Sequence, residues 1–293
     1  MVEEALKQGT LLINMGLVSV KVATTIPKAI EGISSLYKDY DITNADEQWY
    51  DYAIGIEKPS TLRAFIRPQV TFDFDGYKPF KPLPLAHSYP LFEWGLNWAV
   101  ANHLHDYLIL HAAVLEKGGK AVILPAPPGS GKSTLCAMLA LSGWRLLSDE
   151  MAVINIRSGS VTPFVRPICL KNNSIPLIKG LFPKAYVSNT AVDTKKGNVA
   201  HVRPPKWSVV QKDKEAFIAA IVFPKYKADS TTILEPISQT RTFENLIENA
   251  FNFDLFGHEG FQLLASIVKR AKSFYCEYSS FEDLEPKLCE MVR

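Results

Sequence analysis

AVILPAPPGSGKSTLCAMLALSGWRLLSDE, residues 121–150, decides how this chain is read. It opens on an apolar run of strand composition, passes a Gly-rich turn and continues as a helical run from Lys132 to Ser142. The helical pattern stops at Gly143, where a C′ glycine belongs, and residues 144–148 return as a short apolar strand ending in Asp149 and Glu150. Residues 126–133, APPGSGKS, match the phosphate-loop pattern G-x-x-x-x-G-K-[ST], with Ala126 in the first glycine position. Backbone N–H groups from Gly129 to Ser133 can wrap a β-phosphate at the positive end of the helix. Lys132 can reach the β and γ oxygens, and the Ser133 hydroxyl can ligate Mg²⁺. The expected nucleotide contacts are Pro128, Gly129, Ser130, Gly131, Lys132, Ser133 and Thr134, with ATP and Mg²⁺ as the ligands. Ala126 restricts φ without removing the cradle.

The lengths of the next two elements place the acids. A helix from Lys132 to Ser142 spans roughly 16 Å at 1.5 Å per residue, and a strand from Trp144 to Ser148 also spans roughly 16 Å. If the return strand runs parallel to residues 121–125 in a right-handed β-α-β unit, its end lies beside the glycine-rich loop. Asp149 and Glu150 then face the nucleotide. One acid can hold Mg²⁺, and the other can accept the proton of an attacking hydroxyl. The plain alternative is a solvated turn between two strands.

Outward from this core, YLILHAAVLEKGGKAVILPAP (107–127) reads as two strands joined at Lys117-Gly118-Gly119, with His111 inside the first. MAVINIRSGSVTPF (151–164) reads as a hairpin, AFIAAIVFP (216–224) as a buried strand, and the C-terminal region as helices with the strand SFYCEY before the last. Upstream, IPKAIEGISSLY is helical in pattern and RAFIRPQVTFDF (63–74) strand-like, with Asp75-Gly76 as a hairpin turn. YKPFKPLPLAHSYP (77–90) is a proline-rich connector, so a boundary near residue 90 is expected. That gives a strand-bearing N-terminal portion, 1–90, and a core with C-terminal helices, 91–293. A helix follows over 91–107, whose Trp94 and Trp98 read as a packing stripe. His103 and His105, two apart, do not share a helix face and are not a metal pair.

Composition narrows the classes. The 293 residues are 47% hydrophobic and 21% charged with a formal net charge of +2, as in a globular α/β protein, with no surplus for bulk nucleic-acid or membrane attraction. The apolar stretch 10–24 is broken by Asn14, Gly16, Ser19 and Lys21 and reads as neither signal peptide nor membrane span. Four dispersed cysteines form no C-x-x-C pair, which points to reduced thiols and a cytoplasmic setting. Between Arg157 and Lys212 stand ten basic residues against one acid, Asp193. Arg166 and Arg203 each precede a proline that holds their backbone extended, which makes them the candidates to stabilise a transferred phosphoryl group. NTAVDTKKGNV (189–199) has loop composition and is expected to be a mobile, substrate-gripping element.

HAAV (111–114), APPGSGKST (126–134) and GWRLLSDE (143–150), at these spacings, resemble the catalytic core of HPr kinase/phosphorylase, a bacterial kinase of a protein serine. FEWGLNW (92–98), IRPQV (66–70), VRPICLKNNSI (165–175), VRPP (202–205) and IVFPKY (221–226) extend the resemblance to the HPr-kinase-related kinase A family over about residues 60–230. The resemblance implies a P-loop core of the HPr kinase and phosphoenolpyruvate carboxykinase type with a mixed sheet. It aligns Asp149 with the catalytic base, Glu150 with a metal-associated Asp, and His111 with the histidine before the loop. Ala126 for Gly and Glu150 for Asp are the departures. The implied activity is Mg²⁺- and ATP-dependent phosphorylation of a seryl hydroxyl on a protein or peptide, by a chain that can also form a homo-oligomer. A kinase of a small hydroxyl acceptor such as free serine, and a nucleotide switch without catalysis, are the alternatives. The absence of N-K-x-D weighs against a GTPase.

Overall fold

The computed structural model describes residues 2–59, 68–127 and 129–293. The chain starts with α1 (Val2–Gln8), the hairpin β1 (Leu11–Asn14) and β2 (Ser19–Thr24), α2 (Pro27–Leu36), β3 (Asp41–Asn44) and β4 (Tyr52–Glu57). After residues 60–67 come β5 (Gln69–Phe74), β6 (Leu83–Pro84) and α3 (Ser88–His103). The strands form a six-stranded sheet in the order β3-β1-β2-β4-β5-β6, in which β2 and β4 are parallel and the other pairs antiparallel. Alternation drives it: in β2, Val20, Val22 and Thr24 are buried and the residues between them are half-buried. α2 begins with proline in its first turn and buries Ala29, Ile30, Ile33 and Leu36, one stripe of a 3.6-residue period. Asp75 and Gly76 both take positive φ, 50° and 85°, as a tight hairpin turn requires. The N-terminal half of the strand expected over 63–74 lies outside the described residues. Trp98 packs edge-on against Phe74 and Phe80, each at 5.5 Å, as a packing residue does.

The chain continues through β7 (Tyr107–Leu110), β8 (Ala112–Lys117), β9 (Lys120–Pro125), α4 (Lys132–Leu141), β10 (Arg145–Ser148), β11 (Ala152–Asn155) and β12 (Ser160–Thr162). It then forms β13 (Ile168–Lys171), α5 (Ser174–Leu181), β14 (Ala191–Thr194) and β15 (Gly197–Val202), whose strands make a three-stranded sheet in the order β13-β15-β14. Last come α6 (Lys206–Val210), β16 (Ala216–Tyr226), β17 (Ile233–Pro236), α7 (Gln239–Glu248), α8 (Gly257–Arg270), β18 (Lys272–Tyr278) and α9 (Phe281–Met291). A nine-stranded sheet runs β10-β8-β9-β16-β12-β11-β7, with β18 also pairing β16 and β17 pairing β18. The protein is therefore α/β with mixed sheets. Among the described residues no helix is long and apolar enough to cross a membrane.

Contacts divide the chain into one unit of residues 1–103, 169–179 and 183–203 and a second of 104–168, 180–182 and 204–293. Residue 90, where the sequence places a boundary, is inside α3. Two further expectations change. Residues 189–199 form most of a hairpin rather than a loop, because the Thr194 hydroxyl closes the turn on the Gly197 carbonyl at 2.6 Å and Gly197 supplies a φ of +82°. The first strand of 107–127 is two strands, because the chain bends at His111 and changes partner: Leu110 pairs with Ala152 of β11, Ala112 with Pro125 of β9. The core of the second unit lies on the nine-stranded sheet beneath α7 and α8, where Leu110, Ile123, Ile154, Ile221, Leu246 and Ile267 are all buried.

Candidate functional site

β8 is antiparallel to both β9 and β10, so β9 and β10 point the same way with β8 between them. β16 is parallel to β9 and β18 is parallel to β16. The C-terminal ends of β9, β10, β16 and β18 thus share one edge of the sheet, the edge where open α/β sheets hold ligands. Each supplies part of the site: β9 the glycine-rich loop, β10 the pair Asp149-Glu150, β16 Tyr226 and β18 Tyr278.

The loop leaves β9 at Pro125 and turns through Gly129 and Gly131, whose φ values of +89° and +91° belong to the left-handed region. A Cβ at Gly129 would meet nothing within 4 Å, so the backbone there is open to a ligand. Gly131 caps α4, with its carbonyl taking the Leu135 N–H at 3.0 Å. Ser130 N–H donates to the Pro127 carbonyl at 3.3 Å, and the Ser130 carbonyl accepts from Tyr226 N–H at 3.0 Å. The loop is thereby tied to the end of β16. Helix α4 ends as its glycine requires: Trp144 N–H reaches the Leu139 carbonyl at 3.1 Å around Gly143, whose φ is +99°.

Lys132 is 7% exposed and Asp149 6%. Cys136, one turn after Lys132, joins them. Its thiol is held well above the ordinary value, first by burial, then by the charge of Asp149 and a hydrogen bond to that carboxylate, while Lys132 pulls the other way. The thiol also lies 4.0 Å from the Ser148 carbonyl. Cation, thiol and carboxylate therefore share one buried site, as the helix and strand lengths require. Glu150, Ser133 and Thr134 are half-buried beside it in the chain. His111 N–H donates to the Asn249 carbonyl at 2.6 Å and its ring meets Phe251 edge-on at 5.9 Å. With Ala112 opposite Pro125, His111 stands level with the start of the glycine-rich loop.

Arg166, 8% exposed, lays its guanidinium over the Phe164 ring at 4.6 Å. The Phe164 N–H donates to the Leu147 carbonyl of β10 at 2.9 Å, so this stretch lies against the strand that carries the acids. Arg203 belongs to the first unit, where its Nε donates to the Ser35 carbonyl at 2.7 Å and its guanidinium stacks on Tyr186 at 4.5 Å. Pro128 lies outside the described residues. Tyr226, Tyr278 and Cys136 are site residues that the sequence reading passes over. Cys136 had a signal, since i and i+4 share a helix face. The two tyrosines had none, because only sheet pairing brings them here.

The donor set suits a hard cation with phosphate. Among the described residues no cluster of three or more His, Cys, Asp or Glu is poised to hold a metal. Mg²⁺ needs none, since it takes one or two carboxylates and completes its shell with water and phosphate oxygens. Ser133, Asp149 and Glu150 offer such oxygens. No protein-family model matches this chain, and no curated protein matches it.

Proposed function

We propose that the protein is an ATP- and Mg²⁺-dependent kinase that transfers the γ-phosphoryl group to a seryl hydroxyl of a protein or peptide, in the manner of the HPr-kinase-like family its motifs resemble. The observation that carries the reading is the buried carboxylate of Asp149 held against the Cys136 thiol of the helix that follows the glycine-rich loop, a thiol that also feels the charge of the buried Lys132. A switch protein needs no base there. The N–H groups of Gly129–Ser133 hold the phosphates at a helix N-terminus. Lys132 neutralises charge on the β and γ oxygens, and Ser133 and Glu150 hold the metal. Bound Mg²⁺·ATP supplies the transferable phosphoryl group and a metal that draws charge off its oxygens. Asp149 accepts the hydroxyl proton as the acceptor oxygen bonds to phosphorus and the bond to the ADP oxygen breaks. The Cys136 thiol donates to the same carboxylate and fixes its orientation. Arg166, rigid on Phe164, is the cation available to the developing charge.

The test is single-turnover transfer from γ-labelled ATP, with mass spectrometry of the labelled acceptor. Asp149→Asn keeps shape and hydrogen bonding but loses basicity, so transfer should fall ~10²- to 10⁴-fold with nucleotide affinity nearly intact. Glu150→Gln should shift the Mg²⁺ dependence. Full transfer by Asp149→Asn removes the base assignment, and failure to label any acceptor, protein or small molecule, makes the protein a switch.

A further inference from the structure

Tyr226 closes β16 at the edge of the sheet that carries the glycine-rich loop. Three contacts fix it there. Its N–H donates to the Ser130 carbonyl at 3.0 Å. Its Cβ lies 3.0 Å from where a Cβ on Gly131 would stand, closer than most Cβ contacts, and the φ of +91° at Gly131 further favours glycine there. Its ring packs edge-on against Tyr278 at 5.8 Å, and the Tyr278 hydroxyl lies 3.4 Å from the same Gly131 position. Tyr278 is 1% exposed and Tyr226 is 54% exposed. A buried aromatic therefore braces one edge of an aromatic ring that is largely open to solvent, directly beside the loop. Burial alone does not account for such a ring. Two χ angles, a braced edge and an anchored backbone make it a rigid platform with little entropy to lose on contact. An exposed π-face offers stacking to any nucleobase, without the hydrogen-bond readout that an N-K-x-D segment provides.

We infer that Tyr226 is the platform on which the nucleotide base stacks, Tyr278 being the residue that positions it. This rests on the nucleotide reading above and adds the group that grips the base, so the test separates base from phosphate. Calorimetric titration compares Mg²⁺·ATP with Mg²⁺·tripolyphosphate, which has three phosphates and neither ribose nor base. Tyr226→Ala keeps the backbone bond to Ser130 and removes only the side chain. Its affinity for Mg²⁺·ATP should fall ~10-fold or more while tripolyphosphate binds as to the parent, and Tyr226→Phe should retain ATP affinity. An unchanged ATP affinity in Tyr226→Ala, or an equal loss for both ligands, overturns the assignment. Parent protein that binds tripolyphosphate as tightly as ATP overturns the platform and leaves the phosphate site standing. Parent protein that binds neither overturns both.

Discussion

Lys132 is buried at the first position of α4, where the proposed function gives its charge to the nucleotide phosphates. Lys132→Ala should lower Mg²⁺·ATP affinity at least ~10-fold, about 1.4 kcal/mol, while the fold persists, because the side chain sits at a helix start rather than in the apolar core. Calorimetric binding and a thermal melt on the same sample check both halves. Arg145 is the contrasting case. It is 3% exposed and donates to Glu116 and to the carbonyls of Gln211 and Lys214 at 3.1 and 2.7 Å, while Glu116 also accepts the Gly119 N–H. Glu116→Gln strands a buried guanidinium and should cost ~3–5 kcal/mol, read as a drop in urea midpoint. At this scale Lys132, Ser133 and Asp149 were legible as candidates, because residue type and spacing single them out, and Lys132 and Asp149 are both buried. The surroundings of Arg203 were not: proline after it predicted extended backbone but could not say that Tyr186 and Ser35 would take the guanidinium.

Among the elements, α9 docks through the fully buried Leu284 and Leu288 and through a small polar cluster. Glu285 accepts from the Trp144 indole at 3.0 Å, from Lys117 at 3.1 Å and from the Cys289 thiol at 2.9 Å. These bonds, the thiol's first, hold its carboxyl below the ordinary 4.5 against the opposing pull of burial. A carboxyl lowered in the fold stabilises it above the unfolded value, and that contribution disappears as pH falls through the folded value. Amide exchange in residues 281–291 should therefore quicken relative to the sheet as pH drops below about 4.5. Glu285→Gln should flatten that response, and an identical pH profile in the two proteins removes the role. The end of α4 was readable from the chain at Gly143, whereas the cap of α9, the Ser280 hydroxyl that accepts the Asp283 N–H, emerges from the structure. The hairpin at 191–202 was misread as a loop because its polar residues satisfy each other across the turn, which composition cannot distinguish from solvation.

The whole molecule is not cut where a linear reading cuts it. Residues 169–179 and 183–203 complete the first unit, where His87 donates to the Val192 carbonyl at 2.8 Å, Asn189 to Glu31 at 2.8 Å and Arg203 to the Ser35 carbonyl at 2.7 Å. A fragment of residues 1–103 lacks those partners and should show no cooperative thermal transition by circular dichroism, whereas the full chain should. A cooperative fragment would show that the later segment is dispensable to the first core. What the sequence determined by itself is local: the helical pattern of α2, the Asp75-Gly76 turn, the glycine that ends α4, and the 121–150 run whose helix and return strand match in length. Each depends on bonds and sterics within a few residues, or on a helix and strand that cancel in length. Tertiary structure alone decided that β16 and β18 lie beside β9 and bring Tyr226 and Tyr278 to the loop, that β8 separates β9 from β10, and that residues 169–203 return largely to the first unit. Those choices depend on which distant faces bury each other's apolar surface, and no short stretch of chain contains that information.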